Sequence, residues 1–265
     1  MDDGFQSLQR SIEKLVRIRC SNYKEDYIKR RILSRMRLTG NGDYDAYHKY
    51  LLANPQEIDL LKNALTINVT KFFRDTEVFD LIRRDIFPNL IRERKTIRIW
   101  CAGCASGEEP YSLAMIMHDL TALKTDTAVT IYATDIDNEV LKKAVEGVYD
   151  TKSLENLSES QIRKHFVCRD DGRYEVKPHL KGMIKFRHHD LMSGIPIARY
   201  LDAISCRNVT IYFSEKQKND LTAMFYKALA SGGYYIMGKT EYLGRDVENL
   251  FLPYNTMQKV MVRRD

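Results

Sequence analysis

Short apolar runs alternate with segments of helical period from residue 96 onward, and this alternation limits the fold more than any other feature. Thr96–Cys101 and Val129–Ala133 are rich in β-branched residues, which favours strands, and a helical segment follows each of them. Further strand-like runs lie at Ile184–Arg187, Asp202–Cys206 and Tyr234–Met237. Strands that alternate with helices predict an α/β fold with a doubly wound, mostly parallel sheet.

The same pattern predicts the helices and one edge of the sheet. A turn at Gly232-Gly233 precedes the last of these strands, and Thr256–Val262 is expected to form a final antiparallel edge strand. The helices of this region are expected at about 108–123, 138–145 and 214–230, with a shorter one at 245–250.

Two regions lie outside the alternation. Residues 1–66 carry helical periodicity, so we expect a helical N-terminal domain that spans residues 1–75 with its linker, followed by the sheet domain over 76–265. Residues 148–182 hold two short strand-like runs around Asp171-Gly172, and an Asp-Gly pair between such runs favours a hairpin. We therefore expect a small antiparallel β-subdomain inserted in the sheet domain.

Composition narrows the class of protein. The chain is 44% apolar and 29% charged, which is typical of a soluble globular protein, and no apolar run approaches the length of a transmembrane helix. The five cysteines form no regular framework and the N-terminus lacks the pattern of a secretory signal. We therefore expect a cytoplasmic protein without membrane insertion. The net charge of +6 is too small to predict a nucleic-acid partner.

The loop after the first predicted strand has the composition of a ligand loop. Gly103, Ala105 and Gly107 let a ligand approach the backbone, and the next helix begins with exposed N–H groups. The third glycine of a dinucleotide fingerprint is absent, and Glu108 and Glu109 would repel a diphosphate. These acids favour a ligand with a cationic ammonium group. The alternative interpretation is that the segment is an ordinary tight turn whose acidic residues lie on the surface.

Asp135 ends the second predicted strand, where an acid commonly accepts hydrogen bonds from ribose hydroxyls. A helix N-cap is the alternative role for this residue. A nucleoside with an amino-acid tail suits both acidic positions. S-adenosylmethionine (SAM) is such a molecule, with adenosine for Asp135 and an α-ammonium for Glu109.

Two further motifs combine polar and aromatic residues. Asn68–Asp75 (NVTKFFRD) joins the helical region to the sheet domain and is either a packed linker or part of a site. Cys206–Phe213 (CRNVTIYF) follows a central strand, whose carboxyl end faces the crevice of a doubly wound sheet. Its β-branched and aromatic residues are equally compatible with a position in the core.

Neither the cysteines nor the adjacent histidines predict a metal site. Cys101-x-x-Cys104 lacks a second matching pair for zinc and lies within the expected ligand loop. His188 and His189 point to opposite faces in an extended chain, so with Asp190 they are expected to line the crevice. We expect no metal ligands.

Taken in order, NVTKFFRD, IRIWCAGCASGEEPYSLAM, ATDID and CRNVTIYF resemble the motifs of CheR-type chemotaxis protein-glutamate O-methyltransferases. The similarity covers nearly the whole chain. It implies a helical N-terminal domain, a class I, Rossmann-like SAM methyltransferase domain and a small β-subdomain. It also implies methyl transfer from SAM to glutamate carboxylates of chemoreceptor cytoplasmic helices, which gives glutamate methyl esters and S-adenosylhomocysteine.

The resemblance implies roles for particular residues. Tyr212 falls at the position implicated in methyl transfer, and Arg74 is expected to orient the substrate carboxylate. Asp190 and Leu191 fall where many relatives carry Asn-Leu beside the adenine. The residues implied to contact or frame SAM are Asn68, Thr70, Arg74, Glu109, Asp135, Asp190, Leu191, Arg207 and Asn208.

The partner that the resemblance implies is the acidic helical bundle of a methyl-accepting chemotaxis receptor. Basic residues dominate the predicted helix Tyr27–Leu38, and their charge complements such a bundle, whereas a solvated charged face is the alternative. The short hairpin loop Cys168–Arg173 favours an enzyme that works without a receptor peptide tether. The residues expected to bind the receptor are Lys29, Arg30, Arg31, Arg35 and Arg37.

Two other functions fit the residues less well. A SAM-dependent methyltransferase of nucleic acid or a small molecule would use the same cofactor, but the chain has no Asn-Pro-Pro-Tyr-like element, so we expect no nucleic-acid partner. A non-catalytic SAM-binding adaptor would not need Arg74 or Tyr212.

Overall fold

The computed structural model describes residues 3–16, 18–66, 68–122 and 126–265. The chain forms two compact units. A helical unit comprises the chain up to Asn68 together with Tyr212–Gln217, and a sheet unit comprises Val69–Ile211 and Lys218–Asp265. None of the helices in the described part of the chain is long and apolar enough to cross a membrane.

The helical unit is built on apolar residues that recur at helical spacing. In its second helix Ile28, Ile32 and Met36 recur every four residues, and all three are buried. Burial of each aliphatic side chain contributes about 1.5–3 kcal/mol. Asp43 caps the third helix by accepting a hydrogen bond from Ala46 N at 2.7 Å, and the fourth starts with Pro55. The four helices are α1 (Asp3–Val16), α2 (Glu25–Leu38), α3 (Tyr44–Ala53) and α4 (Pro55–Leu65).

Residues Tyr212–Gln217 return to this unit from a distant part of the chain. Lys24 N donates to Tyr212 O at 2.9 Å, and Ser214 N donates to Asn22 O at 3.1 Å. The Tyr23 and Phe213 rings meet edge to face with centroids 5.3 Å apart. These pairings are long-range, and no local pattern in the sequence predicts them.

The sheet unit contains a seven-stranded sheet in which five strands are parallel and two are antiparallel. Its strands are β1 (Thr96–Ala102), β2 (Ala128–Asp135), β6 (Ile184–His188), β7 (Leu201–Cys206), β8 (Leu229–Met237), β9 (Phe251–Asn255) and β10 (Val260–Arg263). They lie in the order β6-β2-β1-β7-β8-β10-β9. The strand order therefore reverses at β1, and the doubly wound fold predicted from the sequence is confirmed.

The helices of this unit follow the predicted alternation. Two short helices are joined by a π-helical turn at Ile82–Ile86 and form one continuous segment. For the helix predicted at about 108–123, the expected last residue, Leu123, lies outside the described residues. The helices are α5 (Thr76–Leu81), α6 (Phe87–Glu93), α7 (Glu108–Thr121), α8 (Asn138–Glu146), α9 (Glu159–His165), α10 (Pro178–Lys181) and α11 (Glu215–Ala228).

The small antiparallel sheet expected within 148–182 is confirmed. It contains β3 (Val148–Tyr149), β4 (Phe166–Cys168) and β5 (Tyr174–Val176), with β5 in the centre. The hairpin turns at Asp171-Gly172, where Arg169 N donates to Arg173 O at 2.8 Å. The sequence did not predict β3, because two residues are too few to show alternation.

Three local predictions were wrong. The predicted turn at Gly232-Gly233 lies inside β8. The pairing of β8 with β7 shifts register there, and Gly232 has a positive φ, as in a β-bulge. The helix expected at 245–250 is only a 3₁₀ turn at Glu248–Leu250. The third concerns only the position of the last strand: β10 is antiparallel to β8, as expected, but β9 pairs with its other side and forms the edge.

Candidate functional site

The loop between β1 and α7 is held against its neighbours by backbone contacts. Gly103 N and Cys104 N both donate to Thr134 O, at 2.8 and 2.9 Å. Gly103 has φ +79°, and a Cβ there would lie 2.5 Å from Val209 Cγ2. Only glycine fits this position, so the loop after β1 packs directly on the loop after β7.

Asp135 ties the end of β2 to this loop. Its Oδ2 accepts from Ala105 N at 2.9 Å and its Oδ1 accepts from Asp137 N at 3.0 Å. Burial raises the pKa of Asp135, while the backbone hydrogen bonds act in the opposite direction. The alternative role as a helix cap belongs to Asp137, which accepts from Glu139 N at the start of α8.

A buried guanidinium between two carboxylates forms the centre of the site. Arg207 Nη1 donates to Glu109 Oε2 at 2.9 Å, and Nη2 donates to Asp75 Oδ2 at 2.8 Å and to Arg74 O at 2.7 Å. The Arg207 side chain is 1% exposed and lies over the Phe79 ring. Glu109 Oε1 also accepts from Ser205 Oγ at 2.7 Å. With all three groups ionised, one positive and two negative charges leave this cluster with a net charge of −1.

Asn208 stands in a strained segment that one glutamate organises. The φ of Asn208 is +59°, a left-handed value that is uncommon for residues other than glycine. Glu241 accepts hydrogen bonds from the backbone N–H of Asn208, Val209 and Thr210 at 2.7–3.0 Å. It also accepts from Gly238 N at 2.6 Å and from the Thr210 hydroxyl at 2.8 Å. The sequence analysis missed Glu241, although an acid shortly after a central strand was the signal that singled out Asp135.

The predicted adenine-side residues follow β6. Asp190 is exposed, and its Oδ1 accepts from Met192 N at 2.8 Å, while Leu191 is buried. His189 N donates to Asp135 O at 2.9 Å, which joins this segment to the end of β2. These contacts bring the segment beside Asp135, and its contact with adenine stays a prediction.

The remaining residues predicted to frame SAM lie before α5. Arg74 Nη1 donates to Val69 O at 2.9 Å, and the Arg74 backbone oxygen contacts Arg207 as described above. Thr70 is partly buried in the same segment of the sheet unit. Asn68 is partly buried and belongs to the helical unit. Their contacts with SAM stay predictions.

The cysteines near the site are not arranged for thiolate chemistry. Cys101, Cys104 and Cys206 are buried, and burial raises the pKa of each thiol well above its ordinary value. Cys101 Sγ lies 3.4 Å from Glu109 Oε1, which accepts from the thiol. Protonated thiols are poor nucleophiles and poor metal ligands, so the Cys-x-x-Cys pair acts as packing.

Tyr212 and the basic helix belong to the helical unit. The Tyr212 ring lies 4.8 Å from the Tyr27 ring, centroid to centroid. In α2, Lys29 and Arg31 lie over the Phe5 and Tyr27 rings. These contacts leave the predicted catalytic role of Tyr212 as a prediction.

Arg35 has a different role from the one that the sequence suggested. Its Nε and Nη2 donate to the two oxygens of Glu57 at 2.9 and 2.6 Å, and Tyr47 donates to the same carboxylate at 2.8 Å. Arg35 is only 16% exposed and Glu57 only 3%. A guanidinium held in this way stabilises the helical unit and is not free for a receptor. Arg30 and Arg37 are exposed on the same helix.

A doubly wound sheet with a glycine loop after its first strand and an acid after its second is typical of folds that bind a nucleoside at the strand ends, and the class I SAM-dependent methyltransferase fold is one of these. The family model "CheR methyltransferase, SAM binding domain" matches residues 68–260, and "CheR methyltransferase, all-alpha domain" matches residues 3–66. The chain belongs to the CheR methyltransferase family.

Named relatives agree with this assignment. The chain is 36% identical to a chemotaxis protein methyltransferase of Listeria monocytogenes, over 83% of this chain and 82% of the relative. It is 31% identical to chemotaxis protein methyltransferase 2 of Vibrio cholerae, over 84% and 80% of the two chains. A Borreliella burgdorferi chemotaxis protein methyltransferase is 34% identical over 84% and 82%. The chain is therefore a SAM-dependent methyltransferase of chemotaxis, as the motifs predicted.

Proposed function

We propose that this enzyme methylates glutamate side chains on the cytoplasmic helices of chemoreceptors. The observation that carries the proposal is the match to both CheR family models, which together span residues 3–66 and 68–260. The products are glutamate methyl esters and S-adenosylhomocysteine. A receptor helix is the substrate class that agrees with relatives named for chemotaxis.

The charges of the site suit the two ends of SAM. The Asp75–Arg207–Glu109 cluster carries a net negative charge, which favours the α-ammonium group of the amino-acid tail. Asp135 is buried and has carboxylate lone pairs beyond the two backbone bonds that it accepts, so it can also accept from ribose hydroxyls. Arg207, Asn208 and Asp75 then frame the site and fix its shape.

The protein has little acid–base chemistry to perform in this reaction. When bound, SAM supplies a sulfonium methyl group, which forms a bond to a carboxylate oxygen while the broken S–CH₃ electron pair stays on sulfur. A glutamate with a reference pKa of about 4.3 is ionised at neutral pH and needs no general base. The task of the chain is to orient the carboxylate and to exclude water, because the reaction neutralises two charges.

Arg74 and Tyr212 are the residues that we assign to the substrate carboxylate. Arg74 is partly exposed, and among the described residues the Val69 carbonyl accepts from its Nη1 alone, so its guanidinium retains donors for an incoming anion. The Tyr212 hydroxyl supplies a neutral donor. An orienting contact of this kind leaves the carboxylate nucleophilic, whereas a tight buried ion pair would not.

Receptor docking is assigned to the exposed basic residues of α2. Arg30 and Arg37 are seven residues apart and lie on one flank of the helix. Their positive charge complements an acidic receptor bundle. Lys29 and Arg31 add charge beside them, whereas Arg35 is committed to Glu57.

A labelling experiment tests the proposed function. The enzyme is incubated with methyl-labelled SAM and receptor cytoplasmic fragments, and the label is expected on protein in a base-labile form that releases methanol. A fragment whose acceptor glutamates are changed to alanine is the control and should take up no label. Base-stable label, or label found only on nucleic acid or a small molecule, would replace the proposal with the rival methyltransferase function. The absence of transfer despite SAM binding would favour the adaptor function.

A further inference from the structure

Three histidines from separate segments of the sheet unit converge at one point. His118 lies in the last turn of α7, His165 ends α9, and His179 lies in α10. One ring nitrogen of each lies within 4.8 Å of the other two. His165 Nδ1 is 3.1 Å from His179 Nε2, and the His118 and His179 ring centroids are 4.4 Å apart.

Two nitrogens of this histidine cluster (His118, His165 and His179) are buried and unsatisfied. His118 Nδ1 and His165 Nε2 have no hydrogen-bond partner among the residues that the structure describes. Both face the carboxylate of Asp119, at 3.7 and 3.3 Å from its Oδ1. Buried polar atoms are normally paired, so the partner to which these two nitrogens can donate a proton is Asp119. The other nitrogen of each ring is then left with a lone pair that can bind a metal ion.

We propose that the histidine cluster is a zinc site. Three imidazoles are ligands that Zn²⁺ favours, at Zn–N distances of about 2.0–2.1 Å. Tetrahedral geometry then places ligand nitrogens about 3.4 Å apart, and the contact between His165 and His179 is already close to that spacing. The ligand nitrogen of His118 lies within 4.8 Å of the other two and would be the third protein ligand, with a water molecule as the fourth.

Asp119 supplies the outer part of such a site. A histidine that binds zinc through one nitrogen commonly donates its other N–H to a carboxylate. His165 has this arrangement, with Nδ1 towards His179 and Nε2 towards Asp119. Asp119 also pairs with Lys164 at 2.6 Å, which keeps it in place and favours the outer position over direct coordination.

The site connects two parts of the sheet unit. His165 directly precedes β4, and His179 follows β5 within the same insertion. His118 lies in the last turn of α7, the helix whose first turn carries Glu109. A shared ion therefore fastens the small antiparallel sheet to the helix of the SAM loop. This inference does not depend on the identity of the methylated substrate.

Metal binding to the full-length chain tests the proposal. Protein treated with EDTA and then dialysed is titrated with Co²⁺, which gives intense visible absorption when four-coordinate, and with Zn²⁺ in competition. We expect one ion per chain and a rise in Tm with Zn²⁺. His179→Asn and His118→Gln should each weaken binding at least tenfold, and His48→Asn, which changes a histidine of the helical unit, should not.

Loss of metal binding has to be distinguished from loss of the fold. Circular dichroism and SAM calorimetry establish that each variant is folded, and the two cluster variants act at different histidines so that one misfolded variant does not decide the result. Absence of Co²⁺ absorption and of any Tm shift in the wild type would overturn the zinc site. Equal affinity in wild type and both cluster variants would equally overturn it, because the ion would then lie elsewhere.

Discussion

Two acidic residues at the carboxyl ends of the strands have different roles: Glu109 contributes negative charge, and Glu241 accepts hydrogen bonds. Arg207 can neutralise only one of the two half-buried carboxylates beside it, and Glu109 is the member of the cluster that α7 carries. Glu241 holds the loop after β7 by accepting five hydrogen bonds. These two acids lead to separate predictions, one on ligand binding and one on stability.

Glu109→Gln should weaken SAM binding by about 1–3 kcal/mol, because the charge that complements the α-ammonium group is lost. Adenosine lacks that group and should bind the variant as it binds the wild type. Asp135→Asn should weaken both ligands, because it acts on the ribose. Calorimetry with the two ligands measures the difference, and equal loss of adenosine binding in both variants would contradict the assignment of the two ends.

Glu241→Gln should lower the free energy of unfolding by about 2 kcal/mol or more, because an amide cannot accept from all five donors and buried N–H groups are left unmatched. SAM binding should weaken with it, since Asn208 lies in the loop that Glu241 holds. Glu248→Gln, at an exposed acid, is the control. Unfolding curves in urea report the change, and a variant as stable as the control would show that water replaces the lost acceptor.

Tyr212→Phe should lower the methylation rate about 10–100-fold, the range for a lost hydrogen bond to a charged group. SAM affinity should stay unchanged, because the hydroxyl is assigned to the substrate and the ring keeps its contact with Tyr27. Tyr200→Phe removes an exposed hydroxyl and serves as the control. If Tyr212→Phe methylated at the wild-type rate, the hydroxyl would have no role in the reaction and the Tyr212 ring would serve only in packing.

At the scale of elements, the helix α2 shows what sequence periodicity can and cannot decide. The four-residue spacing of Ile28, Ile32 and Met36 predicted the helix and its buried face correctly. It could not distinguish Arg35 from Arg30, because both are basic residues on a polar flank. The difference arises from Glu57, whose carboxylate comes from α4 and whose position depends on the tertiary packing of two helices.

The Arg35–Glu57 pair predicts a dependence of stability on pH. Burial alone would raise the pKa of Glu57, but the hydrogen bonds from Arg35 and Tyr47 outweigh it and lower the pKa below 4.5. A carboxyl group with a lowered pKa stabilises the fold above its unfolded pKa, and this contribution is lost as the pH falls through the folded pKa. The acid lability of the pair should therefore lie below pH 4.5.

Arg35→Met should destabilise the protein by about 3–5 kcal/mol at pH 7, because Glu57 becomes a buried charge without its partner. The deficit should shrink as the pH falls towards 4, since burial then favours the protonated carboxyl. Arg35→Met combined with Glu57→Gln should recover most of the stability at pH 7. Denaturant unfolding of the three proteins at several pH values measures this, and a deficit independent of pH would contradict a charged Glu57.

At the scale of the whole molecule, local signals predicted the sheet, while long-range pairings stayed hidden. Strands and helices follow from apolar periodicity, and the motif order in the chain led to the correct family. The return of Tyr212–Gln217 to the helical unit and the meeting of three histidines depend on contacts between distant segments. Neither leaves a periodic trace, so a single sequence could not predict them.

Recognition of a whole receptor should depend on salt through α2. Arg30→Glu together with Arg37→Glu should weaken methylation of the intact receptor fragment far more than SAM binding, because both residues are exposed and face a partner from one flank. The wild-type rate should fall as ionic strength rises, and the double variant should show a flatter slope.

Lys142→Glu with Lys143→Glu makes the same change of charge on exposed positions of α8 and should keep the wild-type salt dependence. A short glutamate peptide should be methylated slowly and with a weak salt dependence by all three proteins, because it lacks the acidic bundle. Rates measured at several salt concentrations decide between docking and a solvated face. Equal slopes for the wild type and the α2 variant would assign the receptor contact to a surface other than the flank of Arg30 and Arg37.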